Sequence, residues 1–325
     1  MIKRRLASIS TLAITTVATL ALAPLLFLVA FALSILPRFR TLPHAVLFAL
    51  GFLGYESTGV ARLAWVWLFY RNSPDYLDRN QEIQYWWAGG LLSLGIKIYA
   101  LDIRLSGTEA IQGPTALVIA RHTSIADTVL PMLYFAQQRG EGLRYVLKKE
   151  LTVMPCLDIA GHRLPNLFVD RSGLDTAREL DAVATLTADA NERESVLIYP
   201  EGTRFTLAKQ QHLANTKPEL ADQIHRWPSL LPPKLGGVSA MLSANPHKDV
   251  VFLAHTGFEG SASLHDLING SWRHQIVRLH FWRIPYQDIP EDHAAFIFSN
   301  WDTMQQSIAQ LSQGSVPAAA HAALQ

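Results

Sequence analysis

His122 and Asp127 stand five positions apart, directly after a short apolar run, Ala116-Leu117-Val118-Ile119. A second apolar run, Ser195-Val196-Leu197-Ile198, gives way to Tyr199-Pro200-Glu201-Gly202-Thr203-Arg204. Both runs read as buried strands, and open α/β sheets place their reactive groups where such strands end. The first segment offers general-base chemistry. A carboxylate can bond one nitrogen of an imidazole, fix its tautomer and leave the other nitrogen to take a proton from a hydroxyl. The second segment supplies a carboxylate, a glycine that allows a sharp turn, and a guanidinium whose fork of donors suits phosphate. Glu201 could hold a substrate hydroxyl or orient its neighbours.

Plainer readings stand beside these. On one continuous helix His122 and Asp127 would lie about 140° apart and face away from each other. They meet only if His122 sits in the loop and the helix begins near Ser124. Ser124-Ile125-Ala126-Asp127 also has the spacing of a capping box, with an acid favoured at a helix start. Backbone donors near that helix start could stabilise an oxyanion. The second segment could be a turn with a surface ion pair. His122, Asp127 and Glu201 could ligate a metal in a hydrolase, although no His-Glu-x-x-His pattern occurs. No Gly-x-Ser-x-Gly elbow is present either. The single cysteine, Cys156, sits in Met154-Pro155-Cys156-Leu157 without an activating cation and reads as a packed thiol. Arg171 closes another strand-like segment, Lys148 and Lys149 follow Val146-Leu147, and Lys234 lies among prolines and glycines. Together they would form a basic pocket.

The 325 residues are 49% hydrophobic with a net charge of +1, which gives no electrostatic case for nucleic acid as a partner. One cysteine excludes an internal disulfide framework and a Cys-rich zinc site. From Leu6 to Leu36 no residue is charged. That exceeds the ~20 residues needed to cross a bilayer, and the ~7–15 of a cleaved signal segment. Lys3, Arg4 and Arg5 precede it and predict a cytoplasmic N-terminus. Leu42 to Tyr70 is also apolar but carries Glu56 and Arg62. It is either a second span with its charges facing protein or a helix in the interface, where Trp65, Trp67, Phe69 and Tyr70 would suit the headgroup belt. A hairpin of two spans would return the rest of the chain to the cytoplasmic side.

Further on, strands are expected at Asp102–Leu105, Arg144–Leu147, Asn166–Asp170, Val250–Ala254 and Val277–Trp282. Helices are expected at Thr128–Arg139, Leu174–Asn191, Val238–Ala244 and Ala294–Leu311, with a polar loop and some helix over Lys209–His225. Tyr85–Ile98 reads equally as a core helix or a surface-seeking one. The alternation predicts an α/β fold with a mixed, largely parallel sheet flanked by helices and preceded by N-terminal membrane helices. The expected organisation is a membrane-associated region over residues 1–79, a catalytic domain over 80–313 and a frayed tail over 314–325.

The two motifs and their order resemble the glycerolipid acyltransferase family, which includes the 1-acyl-glycerol-3-phosphate (lysophosphatidate) acyltransferases. His122 and Asp127 match its His-x4-Asp box, and Tyr199 to Arg204 match its Phe-Pro-Glu-Gly-Thr-Arg-type box. Phe168 and Arg171 match a Phe-x-x-Arg element, and Lys148 to Pro155 a Lys-Lys-Glu-Leu-x-x-x-Pro stretch. Pro233 to Gly237 looks like a Pro-Arg-x-x-Gly element. Two departures stand out: Arg121 precedes the histidine where Asn is common, and His255 follows the apolar strand where the family usually has Pro. The resemblance runs from about Leu105 to Thr256. It implies a glycerol-3-phosphate acyltransferase-like fold and a membrane-bound O-acyltransferase of phospholipid biosynthesis. His122 and Asp127 would be catalytic, and Arg171, Glu201, Gly202, Thr203, Arg204 and Lys148 would bind the acceptor. Acyl-CoA or acyl-carrier protein would be the donor substrate, a lysophospholipid the acceptor and the bilayer the site of action, with no cofactor and no metal.

Overall fold

A computed structural model describes residues 2–169, 176–259 and 266–317. The chain divides into two units, Met1–Leu101, Leu147–Asp170 and Ser263–Gln275 in the first, and Asp102–Val146, Arg171–Ala262 and Ile276–Gln325 in the second.

The first unit is helical, built from α1 (Ile2–Leu33), α2 (Leu42–Tyr70), α3 (Tyr76–Tyr99) and α4 (Pro155–Arg163). Among the described residues, α1 alone is long and apolar enough to cross a membrane, and only 6% of its most apolar window is covered by protein. Pro24 lies within its continuous helical run. The basic residues ahead of its apolar stretch are anchored. Arg4 Nη2 and Arg5 Nε reach Asp158 of α4 at 2.6 and 2.9 Å. In α2 the two charges that interrupt the apolar stretch differ, Glu56 facing protein and Arg62 lying exposed. Glu56 is buried and accepts from Trp87 Nε1 and the Cys156 amide, each at 2.8 Å. The Arg62 guanidinium lies 4.0 Å above the Trp86 ring. Trp65, Trp67 and Phe69 are exposed. Segment Tyr85–Ile98 belongs to α3 as a core helix of this unit, burying Tyr85, Trp87, Ala88 and Leu92. Helix α4 had no counterpart in the sequence expectations. It approaches α2 so closely at Gly59 that a Cβ there would come within 2.6 Å of Cys156 Sγ.

The second unit carries the sheet. Its strands are β1 (Asp102–Ser106), β2 (Ala116–Ala120), β3 (Gly142–Lys148), β5 (Glu194–Ile198), β6 (Asp249–Thr256) and β7 (Ile276–Ile284), in the order β1-β7-β6-β2-β5-β3, and β4 (Leu167–Val169) falls in the first unit. Strands β3, β5, β2 and β6 run parallel, whereas β7 is antiparallel to β6 and parallel to β1. The sheet is therefore mixed and mostly parallel, as the alternation of elements implies. Residues of β2 are buried along the whole strand, the pattern of a central strand covered on both faces.

Helices α5 (Thr176–Ala188), α6 (Leu207–Thr216), α7 (Ala221–Arg226), α8 (Leu235–Ser243) and α10 (His293–Ser312) follow in this unit, and α9 (Asp266–Asn269) belongs to the first. Helix α10 buries Ile297, Trp301, Met304, Ile308 and Leu311, a stripe at helical spacing, and starts at Asp292, whose side chain accepts the Ala295 amide at 2.9 Å. The polar stretch Lys209–His225 is mostly helix, divided between α6 and α7.

Segment Thr128–Arg139 departs from the continuous helix expected of it. A 3-10 turn over Ala126–Val129 is followed by a π-type turn over Met132–Ala136 and another 3-10 turn over Gln137–Arg139. Pro131, which lacks an amide hydrogen and crowds the preceding turn, separates the first two. The expected start of the helix at Leu174 lies outside the described residues, as do Arg171 and residues 318–325 of the expected tail.

Candidate active site

Register brings the two motifs together. Ile119 of β2 pairs with Ile198 of β5, and Ala120 with Leu253 of β6. The three strands are parallel, so their C-terminal ends share one edge of the sheet. The residues that follow are Arg121-His122, Tyr199-Pro200-Glu201 and Ala254-His255.

His122 leaves β2 in a loop, and the chain then turns into the 3-10 segment that begins at Ala126. Asp127 thereby folds back, with Oδ1 2.8 Å from His122 Nδ1. Its second oxygen, Oδ2, accepts the amides of Thr123 at 2.5 Å and Ser124 at 2.7 Å. Ser124 Oγ accepts the Ala126 amide at 3.1 Å. The capping reading and the pairing reading are therefore both realised, one on each oxygen of the same carboxylate. Amides expected to be free for an oxyanion are engaged internally at Thr123, Ser124 and Ala126.

Burial is the largest influence on Asp127 and pushes its carboxyl upward. The charge and hydrogen bond of His122, with those of His255, more than reverse that effect and hold it well below the usual carboxylate range. Ionised, Asp127 can only accept. Nδ1 of His122 must then carry the hydrogen, and the lone pair resides on Nε2, the nitrogen left for a substrate proton.

Glu201 is 1% exposed and spans the site from beneath. Oε1 accepts the His122 amide at 2.8 Å and Oε2 the Leu231 amide at 3.0 Å. Burial pushes its carboxyl up to about 7, against the pull of those two amides and of Arg121. Two inward-pointing amide hydrogens would repel a cation at these oxygens. Among the described residues no group of three or more His, Cys, Asp or Glu side chains is arranged to hold a metal ion. Leu231 is itself fixed, since its carbonyl accepts from Trp301 Nε1 at 3.1 Å. Gln210 pins the same loop through the carbonyls of Trp227 and Leu230.

Gly202 adopts φ +69°, a left-handed conformation that glycine takes without a steric penalty, and its amide closes a turn on the Tyr199 carbonyl. A Cβ at this position would meet the aliphatic end of Lys234 at 3.0 Å. Thr203 Oγ1 and the Arg204 carbonyl both accept from Lys209 Nζ at 2.9 Å. Arg204 is half-buried. The loop then returns to the histidine, because the Phe205 amide donates to the His122 carbonyl at 2.6 Å. The ring of Tyr199 lies 4.6 Å from that of His122. Its hydroxyl is buried without a partner among the described residues. Burial above all, with the nearby Asp127 charge, raises the phenol well above its ordinary value.

The structure thus joins His122, Asp127 and Glu201 by direct hydrogen bonds, with Gly202, Thr203 and Arg204 in the adjoining loop. Lys148, half-buried, belongs to the first unit. Cys156 is buried in the first unit, and burial, reinforced by Glu56, pushes its thiol up, the state of an inert cysteine. Two residues that the sequence reading noted only as departures are part of the site. Arg121, 1% exposed, donates to the His255 carbonyl at 2.5 Å and the Ser229 carbonyl at 2.9 Å, and pairs with Glu259. His255 lies 3.4 Å from Asp127 Oδ2. The signal for both was available: each stands at the end of an apolar run, as His122 and Glu201 do.

Comparison with known proteins bears on the fold and the family. No curated protein matches the chain. Among solved structures, the crystal structure of the 1-acyl-sn-glycerophosphate (LPA) acyltransferase PlsC from Thermotoga maritima is similar, with a TM-score of 0.59 at 14% identity, covering 85% of this chain and 98% of that one. The fold is thus PlsC-like. A family model described as Acyltransferase matches residues 102–254, which span β1 to β6 and include His122, Asp127 and Glu201. The imidazole–carboxylate pair thus stands at the strand ends of the segment, residues 102–254, that is similar to the acyltransferase family.

Proposed function

We propose that this protein moves a fatty acyl group from acyl-CoA or acyl-carrier protein to the free hydroxyl of 1-acyl-glycerol-3-phosphate, giving phosphatidic acid. The observation that carries the reading is the bond from His122 Nδ1 to the ionised Asp127, which leaves Nε2 as the base. Nε2 removes the acceptor's hydroxyl proton while that oxygen attacks the thioester carbonyl. The carbon–sulfur bond then breaks, and the departing thiolate takes the proton back from the imidazolium. General-base help of this kind contributes about 10²–10⁴ in rate. No acyl-enzyme forms, consistent with the absence of a nucleophile elbow and with the raised, buried thiol of Cys156.

In this reading Gly202, Thr203 and Arg204 receive the glycerol-phosphate end of the acceptor, with Lys234 beside Gly202 adding positive charge. Glu201 acts by holding the His122 backbone. Arg171 and Lys148 are assigned to the acceptor on the family resemblance. Helix α1 anchors the protein in the bilayer where lipid substrate and product reside, with the catalytic domain on the cytoplasmic side. The likeness in fold to the LPA acyltransferase PlsC supports lysophosphatidate as the acceptor. The test is a panel of defined acyl donors and acceptors with purified protein, products read by mass. Phosphatidic acid as the dominant product is expected. Strong preference for a headgroup-bearing lysolipid, glycerol 3-phosphate or an amino-acid lipid would replace lysophosphatidate as the acceptor.

A further inference from the structure

We propose that His255 is a positioning residue for the acyl-transfer base, its one Nε2–H tying down the Arg121 carbonyl just ahead of His122 while facing the carboxylate of Asp127 from the side opposite His122; this rests on the reading of His122 as that base. His255 ends the apolar part of β6 and is fully buried. Its Nε2 lies 3.1 Å from the Arg121 carbonyl and 3.4 Å from Asp127 Oδ2. A carbonyl and an ionised carboxylate only accept, so Nε2 must carry the hydrogen. Nδ1 is buried without a partner among the described residues, which places the lone pair of the neutral ring there. Asp127 therefore lies between two imidazoles, with His122 on Oδ1 and His255 on Oδ2.

The consequence is geometric. The Thr123 and Ser124 amides meet Oδ2 from the chain's own turn. His255 meets it from β6, an element far away in sequence. The two amides set the plane of the carboxylate and aim Oδ1 at His122 Nδ1, while the single Nε2–H of His255, bonded to the Arg121 carbonyl, presents its positive end to Oδ2 at 3.4 Å. Arg121 returns the tie by donating to the His255 carbonyl, and its amide bonds the Leu253 carbonyl at 3.1 Å. The orientation of the catalytic pair is thus referred to the sheet as well as to a short 3-10 turn.

Side-chain geometry separates this role from packing. Glutamine places its amide nitrogen where the histidine has Nε2, whereas asparagine reaches only the position of Nδ1, which meets nothing. The experiment compares His255→Gln, His255→Asn and His255→Leu in the full-length protein, following kcat, KM and the downfield proton resonance of the His122–Asp127 hydrogen bond, identified by its loss in His122→Ala. Misplacing a catalytic group by about 1 Å costs up to ~100-fold. Expected are wild-type kcat within about threefold for His255→Gln, and losses of about tenfold or more for His255→Asn and His255→Leu, with KM little changed. The resonance persists in His255→Gln and is lost or broadened in the other two. Should His255→Leu fail to fold, the Gln–Asn comparison decides alone. Equal kcat and equal resonances in the Gln and Asn variants would overturn the proposal. The resonance needs no substrate, so a wild-type protein inactive on lysophosphatidate would refute the acceptor assignment while leaving this proposal to the spectrum.

Discussion

Glu201 holds the backbone of His122 rather than its ring, with Oε1 accepting the His122 amide at 2.8 Å while Oε2 accepts that of Leu231. The carboxylate is a brace between the end of β2 and the loop ahead of α8. Glutamine keeps the shape but has one acceptor and one donor, so one amide must face an N–H. An unsatisfied buried donor costs about 1–3 kcal/mol. Glu201→Gln is therefore expected to lower the unfolding midpoint and to reduce kcat about tenfold, through displacement of His122. Denaturation and steady-state kinetics on the same preparation check both.

The same residue gives a pH dependence of stability with a definite sign. Burial raises the Glu201 carboxyl from 4.5 to about 7 in the folded protein. Between those values the folded state binds more protons than the unfolded one, so stability falls as pH rises through that window and levels off above about 7. Wild type should lose stability relative to Glu201→Gln across this range. Asp127 acts in the opposite sense. Its folded value is depressed, so its contribution is present above 3.8 and is lost as pH falls below that value. Chemical denaturation at several pH values, comparing wild type with each variant, checks both slopes.

Asp127→Asn separates the two oxygens of that carboxylate. Its single carbonyl oxygen can cap the turn or face His122, and its NH2 group must take the other place. If the NH2 faces Nδ1, the imidazole changes tautomer and Nε2 carries the proton it should accept. The expected loss in kcat is on the order of 10²–10⁴, with a stability loss of about 1–3 kcal/mol. Nitrogen chemical shifts of the labelled His122 ring report the tautomer directly.

Gly202→Ala tests the loop. At φ +69° an alanine is strained by roughly 1–2 kcal/mol. Its Cβ also displaces the end of Lys234. The expected result is a moderate stability loss and a KM for the phosphate-bearing acceptor raised several-fold, with KM for the acyl donor unchanged. Initial rates with each substrate varied in turn measure the difference.

Much of this site was legible in the sequence because strand ends announce themselves. Ala116–Ile119 and Ser195–Ile198 are apolar runs that stop abruptly, and the residues after them are polar. The pairing of His122 with Asp127 followed from a helix start near Ser124, which is where the chain turns. Three features were less legible, for physical reasons. Glu201 offers the same carboxylate to a hydroxyl or to an amide, and only the path of residues 227–231 selects the amide. His255 gains its meaning from the register of β6 on β2, a pairing separated by more than a hundred residues of chain. Helix α4 is short and has a weak apolar pattern; Asp158, buried against Arg4 and Arg5, marks its place only once the tertiary structure brings these charges together.

The central claim is that His122 Nε2 takes the acceptor's proton. Its most direct measurement is acyl transfer from acyl-CoA to lysophosphatidate by purified wild-type protein and His122→Ala, both in lipid and both confirmed folded by their unfolding midpoints. The account predicts phosphatidic acid from wild type and a rate at least about 10²-fold lower from the variant. Near-normal transfer by His122→Ala would contradict it.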